Sequence, residues 1–252
     1  MSPLPCSVVL ALAAVACASA GEIVCEGTYH SHLQGIATDG EAIYWSFTRD
    51  LVKTDLAGKL LARVAVRSHH GDLTCHEGRL YVAVNFGAFN QEPGKEDSWV
   101  YVYKAADLSL VAKHPVAELV HGAGGMACRK GRFAVIGGLP TTHKANYVYE
   151  YDERLKFVRR HVLPSGYTRL GIQTACHADG FWWFGCYGKK LLKADAAFRL
   201  VGQYDCNCGV GLVKLAEGRY LVGRCFDQSR RGKAFVARPD PRKGMVAVEA
   251  GK

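Results

Sequence analysis

The feature that most constrains this chain is one short pattern that occurs five times. An apolar run, a tight turn carrying glycine and a β-branched or aromatic run make up "GIATDGEAIYWSF" (35–47), "DLTCHEGRLYVAV" (72–84), "GMACRKGRFAVIG" (125–137), "IQTACHADGFWWFG" (172–185) and "LVKLAEGRYLVG" (212–223). Each reads as a β-hairpin. The turn glycines Gly40, Gly78, Gly131, Gly180 and Gly218 follow one another at steps of 38, 53, 49 and 38 residues, so the hairpin marks an internal repeat.

Two further strands fit between successive hairpins. They are "LVKTDL" and "LLARVAV", then "SWVYVYKA" and "LSLVAKHPV", then "NYVYEYD" and "LKFVRRHV", then "KLLKAD" and "FRLVGQY". Four antiparallel strands per repeat, five times over, with little helical periodicity, predict an all-β fold, a five-bladed β-propeller. A β-sandwich would not need the same hairpin five times. In the fifth repeat "GKAFVARP" supplies the third strand. Its fourth is either "GMVAVEA" near the C-terminus or "EIVCEGT" near the N-terminus, and the second choice closes the ring by pairing the chain ends.

The chain opens MSPLPCSVVLALAAVACASAGE, a short apolar run followed by the small-x-small group Ala18-Ser19-Ala20. Residues 1–20 read as a signal peptide, leaving 21–252 as a single propeller domain and predicting a secreted or periplasmic location. A lipoprotein with Cys17 as anchor is the alternative. No later stretch is long and apolar enough for a transmembrane helix. The leader carries no charge, so the net +9 belongs to the domain. That charge favours anionic partners, a small molecule or a glycan. The basic residues are scattered, with no nucleic-acid-binding motif.

In a propeller the first strand of each blade lines the central channel, and the residues just before it converge on one face. Here these are Tyr29 to Gln34, His69 to Asp72, Val120 to Gly122, Tyr167 to Leu170 and Asp205 to Cys208. Histidine reaches this rim from three successive repeats. The expectation is that His32, His70 and His121 hold Zn²⁺ or another late divalent metal ion with positions open for water and substrate. His70 is preferred over His69 because His121-Gly122 resembles His70-Gly71. Asp72 would move the proton, Arg169 would neutralise an anionic substrate group, and Tyr167 and Gln34 would orient it. Asn85, Tyr187 and Arg224, ending second strands, are expected to bind substrate, with Gln173 and with His143 from the long loop 137–146. Such a site suits hydrolysis, or β-elimination from a uronate-like sugar. The competing readings are a metal-free pocket, histidines that only bond a neighbouring blade, and a non-catalytic glycan or small-ligand module.

The cysteines divide in two. Cys75, Cys128 and Cys176 look equivalent, late in first strands, and read as packing residues. Cys186, Cys206, Cys208 and Cys225 lie towards the rim and read as disulfides bracing it, with a soft-metal site as the alternative. Cys25 could tether the N-terminal strand. Trp45, Trp182 and Trp183 lie in second strands, where packing between blades is the expected role.

"HLQGIATDGEAIYW" is similar to the opening Gln-Gly blade motif of the glutamine cyclotransferase-type propellers, and the later hairpins are similar to theirs throughout residues 30–225. The resemblance implies a small exported five-bladed propeller with its pocket on the rim face, and glutaminyl cyclisation as a further possible activity. Where that family offers a glutamate before a glycine, this chain has His69-His70-Gly71-Asp72, so no catalytic residue is carried over.

Overall fold

The three central hairpins turn through residue pairs that both adopt positive φ: Glu77-Gly78, Lys130-Gly131 and Asp179-Gly180. Two left-handed residues in succession give the hairpin turn whose twist matches that of the flanking strands. This is the local reason the repeat folds as it does. The computed structural model describes residues 21–224 and 230–248. The expected leader and Cys225 lie outside the described residues.

Strand β1 (Glu22–Val24) precedes the first blade, formed by β2 (Leu33–Thr38), β3 (Ala42–Phe47), β4 (Asp50–Asp55) and β5 (Leu60–Ala65). The second blade is β6 (His70–His76), β7 (Arg79–Asn85), β8 (Ser98–Lys104) and β9 (Leu110–Pro115). The third is β10 (Ala123–Arg129), β11 (Arg132–Gly137), β12 (Asn146–Tyr151) and β13 (Phe157–Leu163). The fourth is β14 (Ile172–Ala178), β15 (Phe181–Cys186), β16 (Lys190–Ala194) and β17 (Leu200–Asp205). The fifth holds β18 (Leu212–Ala216), β19 (Arg219–Arg224) and β20 (Lys233–Asp240), with β21 (Gly244–Ala247) beyond. The protein is a five-bladed β-propeller, as the repeat predicts.

Both candidates for the last strand are used. β1 pairs with Lys233–Phe235 of β20, and β21 pairs with Ala237–Asp240 of the same strand. The eight-residue β20 is long enough to receive the two chain ends side by side.

Each blade is a sheet with two buried faces, and the buried apolar side chains fall into five clusters, one per junction between blades. Strand alternation sends neighbours to opposite junctions. Tyr44 packs against the second blade and Trp45 against the fifth. Trp182 faces the third blade and Trp183 the fifth. Fully burying one apolar side chain, such as Ile36 or Phe184 in these clusters, contributes roughly 1.5–3 kcal/mol, so stability resides in the junctions. Outer strands alternate exposed and half-buried residues.

Cys75 and Cys128 share a position, each packing towards the preceding blade. Cys176 does not, because "CHADG" has one more residue than "CHEG" or "CRKG" before its turn glycine. The slip sends Cys176 towards the fifth blade, and His177, paired with Trp182, takes the position that Cys75 holds opposite Leu80. All seven described cysteines are thiols, so the expected disulfides are not formed among the described residues. Cys25 Sγ lies 3.5 Å from the Tyr29 hydroxyl, and backbone pairing ties its strand into the ring.

Candidate functional site: an axial pocket walled by all five blades

Four of the five channel-lining strands carry an irregularity in register near their start, between Leu33 and Gly35, His70 and Leu73, Ala123 and Gly125, and Ile172 and Thr174. In each, one extra residue stands against the partner strand, a β-bulge that re-aims the neighbouring side chains. The bulged stretches bring Gln34, Gly71, Gly124 and Gln173 to a common pocket of about 720 Å³.

The first and second blades contribute His32, Gln34, His69 and Asn85 to this pocket, the second also Phe89. The fourth contributes Arg169, Leu170, Gln173, Tyr187 and Lys189, and the fifth Asn207 and Val210. The third supplies backbone at Ala123 and Gly124. No carboxylate lines the pocket among the described residues. Blade four lies across the axis from blades one and two, so the two cations face the two imidazoles.

His32 and His69 occupy equivalent positions, each one residue before its channel strand. Their Nε2 atoms lie 2.8 and 3.2 Å from the Gln34 side-chain nitrogen, which also donates to Thr48 Oγ1 at 3.2 Å. One of the two amide N–H groups goes to Thr48, and with the rings protonated on Nδ1 the two Nε2 lone pairs compete for the other. Burial lowers the pKa of His32; burial and then the nearby His32 charge lower that of His69. Both rings are therefore neutral at pH 7.

Six expected site residues line the pocket: His32, Gln34, Asn85, Arg169, Gln173 and Tyr187. The other six lie elsewhere. His70 is fully buried between blades, with Nδ1 2.8 Å from the Arg67 carbonyl and Nε2 2.8 Å from the Tyr103 hydroxyl. His69 faces the pocket in its place. His121 turns to the Gln91 carbonyl at 2.9 Å and packs against His143 and Tyr147. His143 bonds Thr142 Oγ1 at 3.0 Å in its loop. Tyr167 is exposed, and Arg224 stacks on the ring of Phe235. The residues expected to hold a metal do not fit one: both ring nitrogens of His70 are engaged, and the three rings do not converge. Among the described residues no group of three His, Cys, Asp or Glu side chains is placed to hold an ion.

Asp72 is not on the rim. It is fully buried on the channel axis, where its Oδ2 accepts the Ala175 N–H of blade four at 2.9 Å. Gly35 and Gly125 make room for it, since a Cβ on either would come within 2.0 Å and 2.8 Å of Asp72 atoms. Burial pushes the Asp72 carboxyl well above the ordinary range, against the pull of the Ala175, Leu73 and Ile36 N–H groups. Sequence reasoning did not assign His69, Phe89 or Lys189. The equivalence of His69 with His32 was the available signal.

Burial lowers the pKa of His70 to about 4 from 6.5. The unfolded chain takes up this proton first, so the stability due to neutral His70 is full above pH 6.5 and is lost as pH falls towards 4. The loss amounts to about 3 kcal/mol. His70→Gln is expected to be less stable at pH 7 and to lose less on acidification, measured by urea unfolding at pH 7 and pH 4.5.

The fold and this pocket define a class, the small five-bladed propellers with a pocket at one mouth of the channel. Within it, the chain is similar in structure to the glutaminyl cyclase of Myxococcus xanthus, with a TM-score of 0.64, 12% identity, and 90% of this chain and 96% of that one covered. The chain is also similar in structure to a chain of the nidogen/laminin complex (TM-score 0.50, 12% identity, 72% of this chain and 67% of that one) and to U3-55K (TM-score 0.51, 9% identity, 80% and 61%). These likenesses show the fold alone. No known protein-family profile matches the chain, and no curated protein matches it in sequence. Among the described residues no helix is long and apolar enough to cross a membrane.

Proposed function

We propose that the pocket binds a small organic anion, a carboxylate or sugar acid, and acts on it by acid–base chemistry, as a hydrolase or lyase does. One observation carries this reading: a pair of neutral imidazoles faces two cationic side chains across one pocket that no described carboxylate lines. Arg169 and Lys189 would hold the anionic group, Arg169 by paired hydrogen bonds. Phe89 and Tyr187 offer faces for an apolar or sugar-ring body. His69 or His32, released from Gln34 as substrate enters, would take the proton through Nε2. A peptide with a free N-terminal ammonium finds no carboxylate here, which makes glutaminyl cyclisation the weaker reading. The apolar leader pattern supports export of the protein.

The test is a thermal-shift series with small carboxylates, uronic acids and phosphate esters, beside their neutral analogues and an N-terminal glutaminyl peptide. Anions alone are expected to raise the melting temperature, and bound compounds then enter turnover assays. Stabilisation by neutral sugars alone would leave a non-catalytic glycan module, and cyclisation of the peptide would replace this reading altogether. For a turned-over substrate, kcat/KM is expected to rise with pH along a limb centred below the ordinary imidazole value of 6.5 and to stay flat above it. A limb centred above pH 7 would remove the histidines from the role of base.

A further inference from the structure

Cys206, Asn207 and Cys208 follow one another where β17 gives way to the fifth blade. The two sulfurs are 3.7 Å apart in hydrogen-bond contact. Cys206 is half-buried, while Cys208 is fully buried behind it. The residue between them, Asn207, lines the axial pocket. Three attachments hold the segment. Cys206 Sγ lies 3.5 Å from the Met245 carbonyl on β21, the Cys208 carbonyl accepts Thr174 Oγ1 of β14 at 2.7 Å, and Asn207 Oδ1 accepts the Gly209 N–H at 3.3 Å.

We propose that Cys206 and Cys208 form a reversible dithiol–disulfide couple that reacts with small-molecule disulfides and sets the position of Asn207 in the pocket. The geometry separates the roles of the two sulfurs. Cys206 is the one a reagent can reach, and Cys208 is the one that resolves. The hydrogen bond from the Cys208 thiol lowers Cys206 to about 7, against the effect of burial. The same contact and burial raise Cys208 well above the ordinary thiol range. Cys75 and Cys128, without such a partner, are pushed up to about 11 by burial.

The Cys206 thiolate attacks one sulfur of the small disulfide, whose S–S bond breaks and releases one thiolate. Cys208 then gives its proton to solvent base and attacks Cys206 Sγ, expelling the second thiolate. The protein loses two hydrogens as the small disulfide becomes two thiols. The sulfurs must close from 3.7 Å to a bond of about 2.05 Å, and Cys206 must leave the Met245 carbonyl. Asn207 lies inside the ring that the new bond closes, which ties its backbone to the state of the two sulfurs. The last consequence, altered ligand binding, rests on the anion-binding reading; the sulfur chemistry does not.

The test equilibrates the full chain in reduced and oxidised glutathione, blocks free thiols and maps the peptides. The result expected is a 206–208 disulfide inside one peptide at the oxidising end, reversed at the reducing end. Cys208→Ser should accumulate a glutathione mixed disulfide on Cys206, which a merely structural cysteine would not do. Cys206→Ser, altering the more accessible sulfur, should form neither product. Iodoacetamide should modify Cys206 at pH 7 at least about tenfold faster than Cys75 or Cys128. Absence of the 206–208 bond, or its replacement by a bond to Cys186 or Cys225, overturns the proposal. Among ligands found by the thermal-shift series, affinity should differ about fivefold or more between the two forms. A disulfide that leaves affinity unchanged overturns the link to Asn207. A couple that cycles while neither form binds an anion condemns the functional reading instead.

Discussion

Asp72→Ala is expected to cost roughly 3 kcal/mol of stability, because the Ala175 N–H stays buried without its acceptor and the space kept open by Gly35 and Gly125 empties. Asp72→Asn is expected to cost less than about 1 kcal/mol at pH 7. Burial holds the native carboxyl towards its neutral form, and an amide of the same shape keeps the acceptor for Ala175 and fills the same space. The pH dependence separates the two effects. With the folded value raised above the ordinary 3.8, the unfolded chain releases this proton first, so the native side chain costs stability as pH rises through 3.8 towards the folded value. Asp72→Asn lacks that cost and should gain on the native protein between pH 4 and pH 8. Urea unfolding at the two pH values measures both. An alanine variant as stable as the asparagine variant would show that the carboxyl does not join the blades.

The second large effect is a division of kinetic consequences across the pocket. His69→Ala is expected to lower kcat by about 10²–10⁴-fold with little change in ligand affinity, as loss of a general base does. Arg169→Ala is expected to weaken binding of the anion by about 10–100-fold, through loss of a charge-assisted pair, with kcat less affected. Isothermal titration and steady-state kinetics on the two variants separate the cases. If His69→Ala loses affinity and keeps kcat, His69 is a binding residue and the role of base falls to His32.

The blades were legible because the turn states itself locally: glycine at positive φ between two apolar runs needs no knowledge of the rest of the chain. The pocket face was legible for the same reason, since connectivity alone places the loops. Which side chain enters the pocket was not. A bulge is one unpaired residue, and in a strand one residue exchanges the two faces. His70 and His121 look alike beside their glycines, yet neither occupies the position that His32 and His69 share. His69 is adjacent to β6 and faces the axis; His70 begins that strand and faces Tyr103. In the sequence Lys189 is one of the scattered basic residues, although the turn after β15 carries it over the pocket. Cys176 failed the same way, through a single added residue between it and the turn.

The strand that receives both chain ends also sets an order of assembly. Four blades can complete themselves from contiguous sequence, whereas the fifth requires segments separated by nearly the whole chain. Until β1 and β21 arrive, the outer edge of β20 offers unpaired backbone groups to any extended segment nearby, including the same segments of another molecule. Two molecules refolding together at high concentration could therefore exchange termini and close each other's rings. A ring closed within one chain would then compete with a swapped dimer in which every blade is complete, and the ratio between them would be set by concentration during folding.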